Sequence, residues 1–158
     1  MLGKMEIERK FLLDKFPNLD PIEEAIVCQG YISTDLEVRI RSKETDESTD
    51  YIITVKGDGD LSRKESNVYI SEYIFMELKE IISKPLIHKT YKGYKLYNGL
   101  LLECVLVDSG MESEFMYAEV EFDSEEEALK FIPPEFLGKE VTYDSAYKMK
   151  NYWLRTRC

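Results

Sequence analysis

The sequence predicts an α+β protein that is mainly β, an antiparallel barrel or strongly curled sheet of about eight strands with helices packed outside. Three observations predict it. Apolar and charged residues alternate at period two in one segment after another. Most of these segments are separated by turn residues at hairpin spacing. The remaining stretches are amphipathic helices whose apolar faces need an apolar surface beneath them. At 158 residues and 44% hydrophobic content, the chain suits one globular domain spanning residues 1–158.

The first strand is MEIERKFLL, with Met5, Ile7, Arg9, Phe11 and Leu13 on one face and Glu6, Glu8, Lys10 and Leu12 on the other. Asp20-Pro21 reads as the cap and first turn of a short helix, PIEEAIV, ahead of a strand CQGYIS. In LEVRIRS, Leu36, Val38 and Ile40 alternate with Glu37, Arg39 and Arg41. The polar run KETDESTD is a hairpin loop, YIITVKG returns as a strand ending at Lys56 and Gly57, and DGDLS turns the chain into the strand SRKESNVYI. An amphipathic helix follows from about Glu72 to Ser83, with Ser71 as N-cap and Pro85 as stop. LIHKTY and GYKLY read as two strands, and Asn98-Gly99 is a hairpin turn into LLLECVLVD. After the turn DSGMES comes FMYAEVEF. Ser124 and Glu127 have capping-box spacing for a short helix to about Ile132, ended by Pro133-Pro134. FLGKEVT reads as a last strand and Asp144 to Leu154 as a last helix.

A formal net charge of −10 disfavours nonspecific binding of nucleic acid or anionic membranes. No apolar run approaches the roughly 20 residues of a membrane span, and no apolar h-region follows Lys4. Cys28, Cys104 and Cys158 cannot all pair and form no CxxC or Cys/His cluster, which fits reduced thiols in a cytoplasmic protein. The single histidine, His88, has no partner in sequence. Neither GxxxxGK[ST] nor GxGxxG is present, so a Walker or Rossmann site is not supported.

The charged stripes carry the chemistry. Glu6 and Glu8 share a strand face, as do Glu119 and Glu121; Arg39, Arg41, Lys56, Arg63, Glu65, Lys139 and Glu140 extend the pattern. If the apolar faces filled the barrel, these charges would lie outside and serve only solubility. The helices favour the opposite placement, because they need apolar strand faces turned outward under them. A charge-lined interior is costly unless its charges pair or bind ions, so its natural ligand is a metal with a polyanion. Same-face carboxylates roughly 7 Å apart suit a hard cation, and arginines suit phosphate oxygens.

MEIERK, QGYIS, VRIR, TVKG, LSRKE, AEVEF and LGKEVT, in that order, resemble the CYTH domain of the triphosphate tunnel metalloenzymes, especially short bacterial members. The resemblance covers nearly the whole chain. It implies an eight-stranded antiparallel tunnel that binds a triphosphate with Mg²⁺ or Mn²⁺, as monomer or homodimer, and hydrolyses it by attack of water on the terminal phosphorus. It assigns Glu6, Glu8 and Glu121 to the metal, and Lys10, Arg39, Arg41, Lys56, Arg63, Lys89 and Lys139 to phosphate. Glu65, Glu119 and Glu140 become catalytic carboxylates of the lumen. This chain departs from the family pattern at Asn67, Tyr91 and Val105, where relatives carry Glu, Arg and an acidic residue; Glu103 is kept, and Asp108 is a candidate for the displaced acid. The departures thin a second metal site, so a noncatalytic triphosphate or polyphosphate binder and an adenylyl cyclase remain alternatives to a triphosphatase. Tyr147 and Trp153 read as packing residues.

Overall fold

A computed structural model describes residues 3–158. Eight antiparallel strands close a barrel: β1 (Lys4–Leu13), β2 (Glu23–Ser33), β3 (Glu37–Glu44), β4 (Thr49–Lys56), β5 (Ser62–Tyr69), β6 (Ile87–Lys95), β7 (Leu101–Val107) and β8 (Phe115–Glu121). Around the barrel the order is β1-β5-β4-β3-β2-β6-β7-β8, so two meanders, β2 to β5 and β6 to β8, are joined by the β2–β6 pair and sealed by β1. The wall carrying β1 and β8 therefore faces the wall carrying β2 and β3. Chain direction puts the β2–β3, β4–β5 and β7–β8 connections at one end of the barrel and the β3–β4 and β6–β7 hairpins at the other.

The expected inversion of faces is present. Phe11, Leu13, Leu102, Cys104, Ala118, Val120 and Phe122 form an apolar layer on the outside of β1, β7 and β8, covered by Ala128 of α2 (Glu125–Lys130) and by Leu137. On the other side α1 (Glu72–Ile82) packs over β2, β3 and β4 and buries Phe75, whose ring lies 5.1 Å from that of Tyr51. Both helices start as their sequences direct, the Ser71 hydroxyl accepting from Ile74 N and the Ser124 hydroxyl from Glu127 N. A C-terminal helix, α3 (Met149–Arg157), covers the end that carries the β4–β5 and β7–β8 connections, with Met149, Tyr152 and Trp153 buried against Val27, Tyr31 and Ile87. Among the described residues no helix is long and apolar enough to cross a membrane.

Four elements differ from the sequence expectation. PIEEAIV is no helix: β2 begins at Glu23, because residues 23–29 pair with β6 along one edge while residues from Ile26 pair with β3 along the other. LIHKTY and GYKLY are one strand, β6, continuous through Gly93, where an added Cβ would sit 3.1 Å from the Tyr91 hydroxyl. FLGKEVT is not a barrel strand. It runs extended along the part of β1 that β5 does not reach, with Leu12 N donating to Lys139 O, Gly138 N to Leu12 O and Val141 N to Lys10 O. The last helix is broken into a 3-10 turn, Ser145–Tyr147, and α3, with Lys148 extended between them.

Candidate active site

A cavity of about 240 Å³ occupies the barrel. From β1, β5 and β8 it receives Glu6, Glu8, Lys10, Arg63, Glu65, Glu119 and Glu121, and from β3, β4 and β6 it receives Arg39, Arg41, Lys56 and Lys89. All but Lys89, which the family resemblance supplied, were placed by the period-two stripe of their strand. Lys139 and Glu140 are not in the cavity, which corrects their expected lumen position. Their segment lies beside β1, and Glu140 pairs with Arg9, an outward-facing residue of β1, through bonds of 2.8 and 2.7 Å. The same guanidinium donates to the carbonyls of Ala128 and Phe131 at the end of α2, so Arg9 and Glu140 clamp the outer layer together. Asp108 is also outside the cavity, where it accepts from Tyr152 and Arg157 of α3 and from His88 N of β6.

The charges inside are interleaved, with Lys10 and Arg63 among the carboxylates of β1, β5 and β8 and Glu37 beside Arg39 on β3. Glu6, Glu8 and Glu121 bring one oxygen each within 4.8 Å of one another, a set of hard oxygen donors that fits a divalent cation. Opposite them, Arg39 and Arg41 each bury an Nε that has no hydrogen-bond partner. A buried donor of this kind calls for an acceptor, and phosphate oxygens are acceptors that fit a guanidinium. Between the two walls Lys56 Nζ bonds Glu6 at 2.9 Å and Glu65 at 3.3 Å, and Arg63 bonds Glu37 at 3.1 Å.

Two carboxyl pairs in the cavity are driven apart, one member raised and the other lowered. Burial pushes Glu6 up to about 7, and it bonds to Glu65; burial is outweighed at Glu65 by bonds from Glu6 and Asn67 and the charge of Lys56, which hold it well below the usual range. Burial and the nearby Glu119 likewise raise Glu8 well above its ordinary value. Glu119, despite its burial, is held down to about 2 by Lys10 and the bond from Glu8. Burial, with the neighbouring charges of Glu121 and Glu119, pushes Glu103 up to about 8. On the basic wall, burial and the neighbouring Arg39 pull Lys89 well below its usual range; its Nζ donates to Gln29 Oε1 at 3.0 Å.

These directions fix a pH dependence. A raised carboxyl takes up a proton on folding, so the metal-free protein loses stability as pH rises from the unfolded value of 4.5 through about 7; for Glu6 alone the full loss is on the order of 3 kcal/mol. The lowered Glu65 and Glu119 act at the other side, their contribution vanishing as pH falls below 4.5. Thermal melts in chelator are expected to show a lower Tm at pH 8 than at pH 5.5, with Mg²⁺ reversing the loss at pH 8. A Tm that climbs across this interval would show that the carboxyls are not raised.

Sequence reasoning put Glu37 on the Arg39-Arg41 stripe without giving it a role and missed Lys43, the next step along it; both line the cavity, and continuing the alternation past Arg41 would have found Lys43. Asn67 is bonded by Thr54 Oγ1 at 2.6 Å and donates to Glu65 at 2.9 Å, so the departure there places an amide where it orients a carboxylate. Val105 pairs with Tyr91 across β6 and β7 and gives the cavity an apolar patch. Tyr147 was read as a packing residue; it lines the cavity, and its carbonyl accepts from Lys10 Nζ at 2.7 Å.

No protein-family model matches the chain. An inorganic triphosphatase from Nitrosomonas europaea is 39% identical over 148 residues, which cover 92% of this chain and 94% of that protein. A solved structure of an inorganic triphosphatase superposes with a TM-score of 0.67 at 35% identity, over 93% of both chains. A protein of Bacillus halodurans, at 20% identity and a TM-score of 0.55 over 82% of this chain and 86% of that one, shares the fold. At 39% identity over nearly the whole chain, the protein belongs to the CYTH family of triphosphate tunnel metalloenzymes.

Proposed function

We propose that the protein is a divalent-metal-dependent triphosphatase whose substrate is inorganic triphosphate. The observation that carries this reading is the pair of buried guanidinium donors facing a three-carboxylate cluster across the barrel cavity. A cavity of about 240 Å³ is small for a nucleoside triphosphate, and the 39% identical relative is named for the inorganic substrate.

Glu6, Glu8 and Glu121 would hold Mg²⁺ or Mn²⁺, which when bound neutralises phosphate oxygens. Arg39 and Arg41 give forked donors to the chain of phosphates, and Lys10, Lys56 and Arg63 add point charges around it. Binding therefore aligns the terminal phosphate by charge on two opposed walls, which is most of what phosphoryl transfer requires. Glu65 and Glu119, held as anions, keep Lys56 and Lys10 in place. Lys89, with its proton loosely held, is the group suited to exchange one with the attacking water. The three free cysteines are consistent with a cytoplasmic setting.

The test is orthophosphate release from inorganic triphosphate, ATP and thiamine triphosphate, with Mg²⁺ or Mn²⁺. Release that needs metal and is fastest with inorganic triphosphate is the expected result. Cyclic AMP from ATP without orthophosphate would identify a cyclase, and metal-dependent binding without turnover a noncatalytic binder; either would overturn the proposal.

A further inference from the structure

Asp108 is the most heavily engaged carboxylate outside the cavity. It ends β7 at a left-handed φ of 48° and is 2% exposed. Its Oδ1 accepts from His88 N at 3.0 Å and Arg157 Nη2 at 3.0 Å, and its Oδ2 from Tyr152 OH at 2.5 Å and Arg157 Nη1 at 2.6 Å. Four donors on one buried carboxylate, at a backbone conformation that costs an ordinary residue energy, are more than a surface ion pair needs. Arg157 also donates to the carbonyls of Pro85 and Leu86. The last turn of α3 is thus fastened to the start of β6 and the end of β7.

The opposite end of α3 meets the cavity. Lys148, just before the helix, bonds Gly59 O at 2.9 Å and Asp60 at 3.1 Å, and Tyr147 O receives Lys10 Nζ at 2.7 Å. Lys10 sits between this carbonyl, the Tyr117 ring 4.2 Å away and the charge of Glu119. A neutral carbonyl acceptor holds the ammonium without cancelling its charge. Were it withdrawn, Lys10 would turn to Glu119 and Glu8 and be less available to phosphate.

We infer that Asp108 is a positioning residue for substrate binding: its clamp on Arg157 and Tyr152 seats α3 so that the Tyr147 carbonyl aims Lys10 at the triphosphate. The inference rests on the triphosphatase reading. A helix of nine residues is short and stiff enough to carry a displacement at one end to the other.

Steady-state hydrolysis of inorganic triphosphate with Mg²⁺ tests it in Asp108→Asn, Arg157→Lys and Lys10→Met. Asp108→Asn is expected to raise KM about tenfold with kcat within about twofold of wild type, and Arg157→Lys, which keeps the charge but loses the fork, to fall between. Adding Asp108→Asn to Lys10→Met is expected to change KM no further, since both act through the same ammonium. A merely structural clamp would lower kcat in proportion to the folded fraction and leave KM alone. That result, or additive effects in the double variant, would overturn the inference while leaving the triphosphatase reading intact. Absence of both turnover and triphosphate binding in the wild type would overturn the two together.

Discussion

Replacing Glu6 and Glu8 together by glutamine is expected to abolish metal-dependent phosphate release and at the same time to stabilise the metal-free fold at pH 8. Two of the three clustered ligands lose their charge, and the loss of activity should exceed about 100-fold, since removing even an outer partner of a metal ligand costs up to that much. The stability gain follows from the protons these carboxyls retain. Glu6 and Glu8 are both raised by burial, so at pH 8 the folded protein must either ionise them in a poorly solvated cavity or hold protons the unfolded chain does not need. Glutamine presents a neutral group of the same shape that still donates to Glu65 and Glu119. Phosphate release and chelator-treated thermal melts on the same samples check both halves. A variant that is inactive and also less stable than wild type at pH 8 would mean that these carboxyls are ionised and structurally required, and the account of raised carboxyls would fail.

What made this site legible was the side-chain period of a strand. Glu6, Glu8 and Lys10 point one way because Ile7 and Phe11 must point the other, under α2, and the same constraint placed Arg39, Arg41, Lys56, Glu65, Glu119 and Glu121. Where the period was interrupted or local, legibility failed. In PIEEAIV the apolar spacing of Ile22, Ala25 and Ile26 fits a helix, and only pairing on both edges, with β3 and β6, decides for a strand. In LGKEVT the alternation is real, but the segment borders β1 instead of completing the barrel. Glu140 follows Arg9 outward, while Val141 and Thr142 face the cavity. The Tyr147 carbonyl was beyond reach for a different reason: a backbone acceptor has no signature in side-chain identity, and it is selected by how α3 is seated at the barrel end.

Arg39→Leu is expected to weaken Mg²⁺-dependent triphosphate binding by at least about 30-fold while the protein stays folded. Truncating one partner of a buried charged contact costs 2–5 kcal/mol or more, and a factor of 30 is the lower edge of that range. Arg39 is 8% exposed with its Nε unsatisfied, so in the ligand-free protein the guanidinium already carries a desolvation cost that its surroundings only partly return. Tyr31, Glu37, Glu6 and Glu65 keep it charged, but Glu37 and Glu65 have second partners in Arg63 and Lys56 and are not stranded when it is removed. Leucine fills much of the volume without a polar atom to satisfy. Arg39→Lys should recover part of the affinity through charge and none of the forked geometry. Calorimetric titration with inorganic triphosphate, with denaturant unfolding of the same proteins, reads both effects; binding within threefold of wild type would place the phosphates away from β3. The two substitutions share one logic: Glu6 and Glu8 on β1 and Arg39 on β3 are each buried at a cost to the fold, and a metal with a polyanion is the ligand that relieves both costs at once.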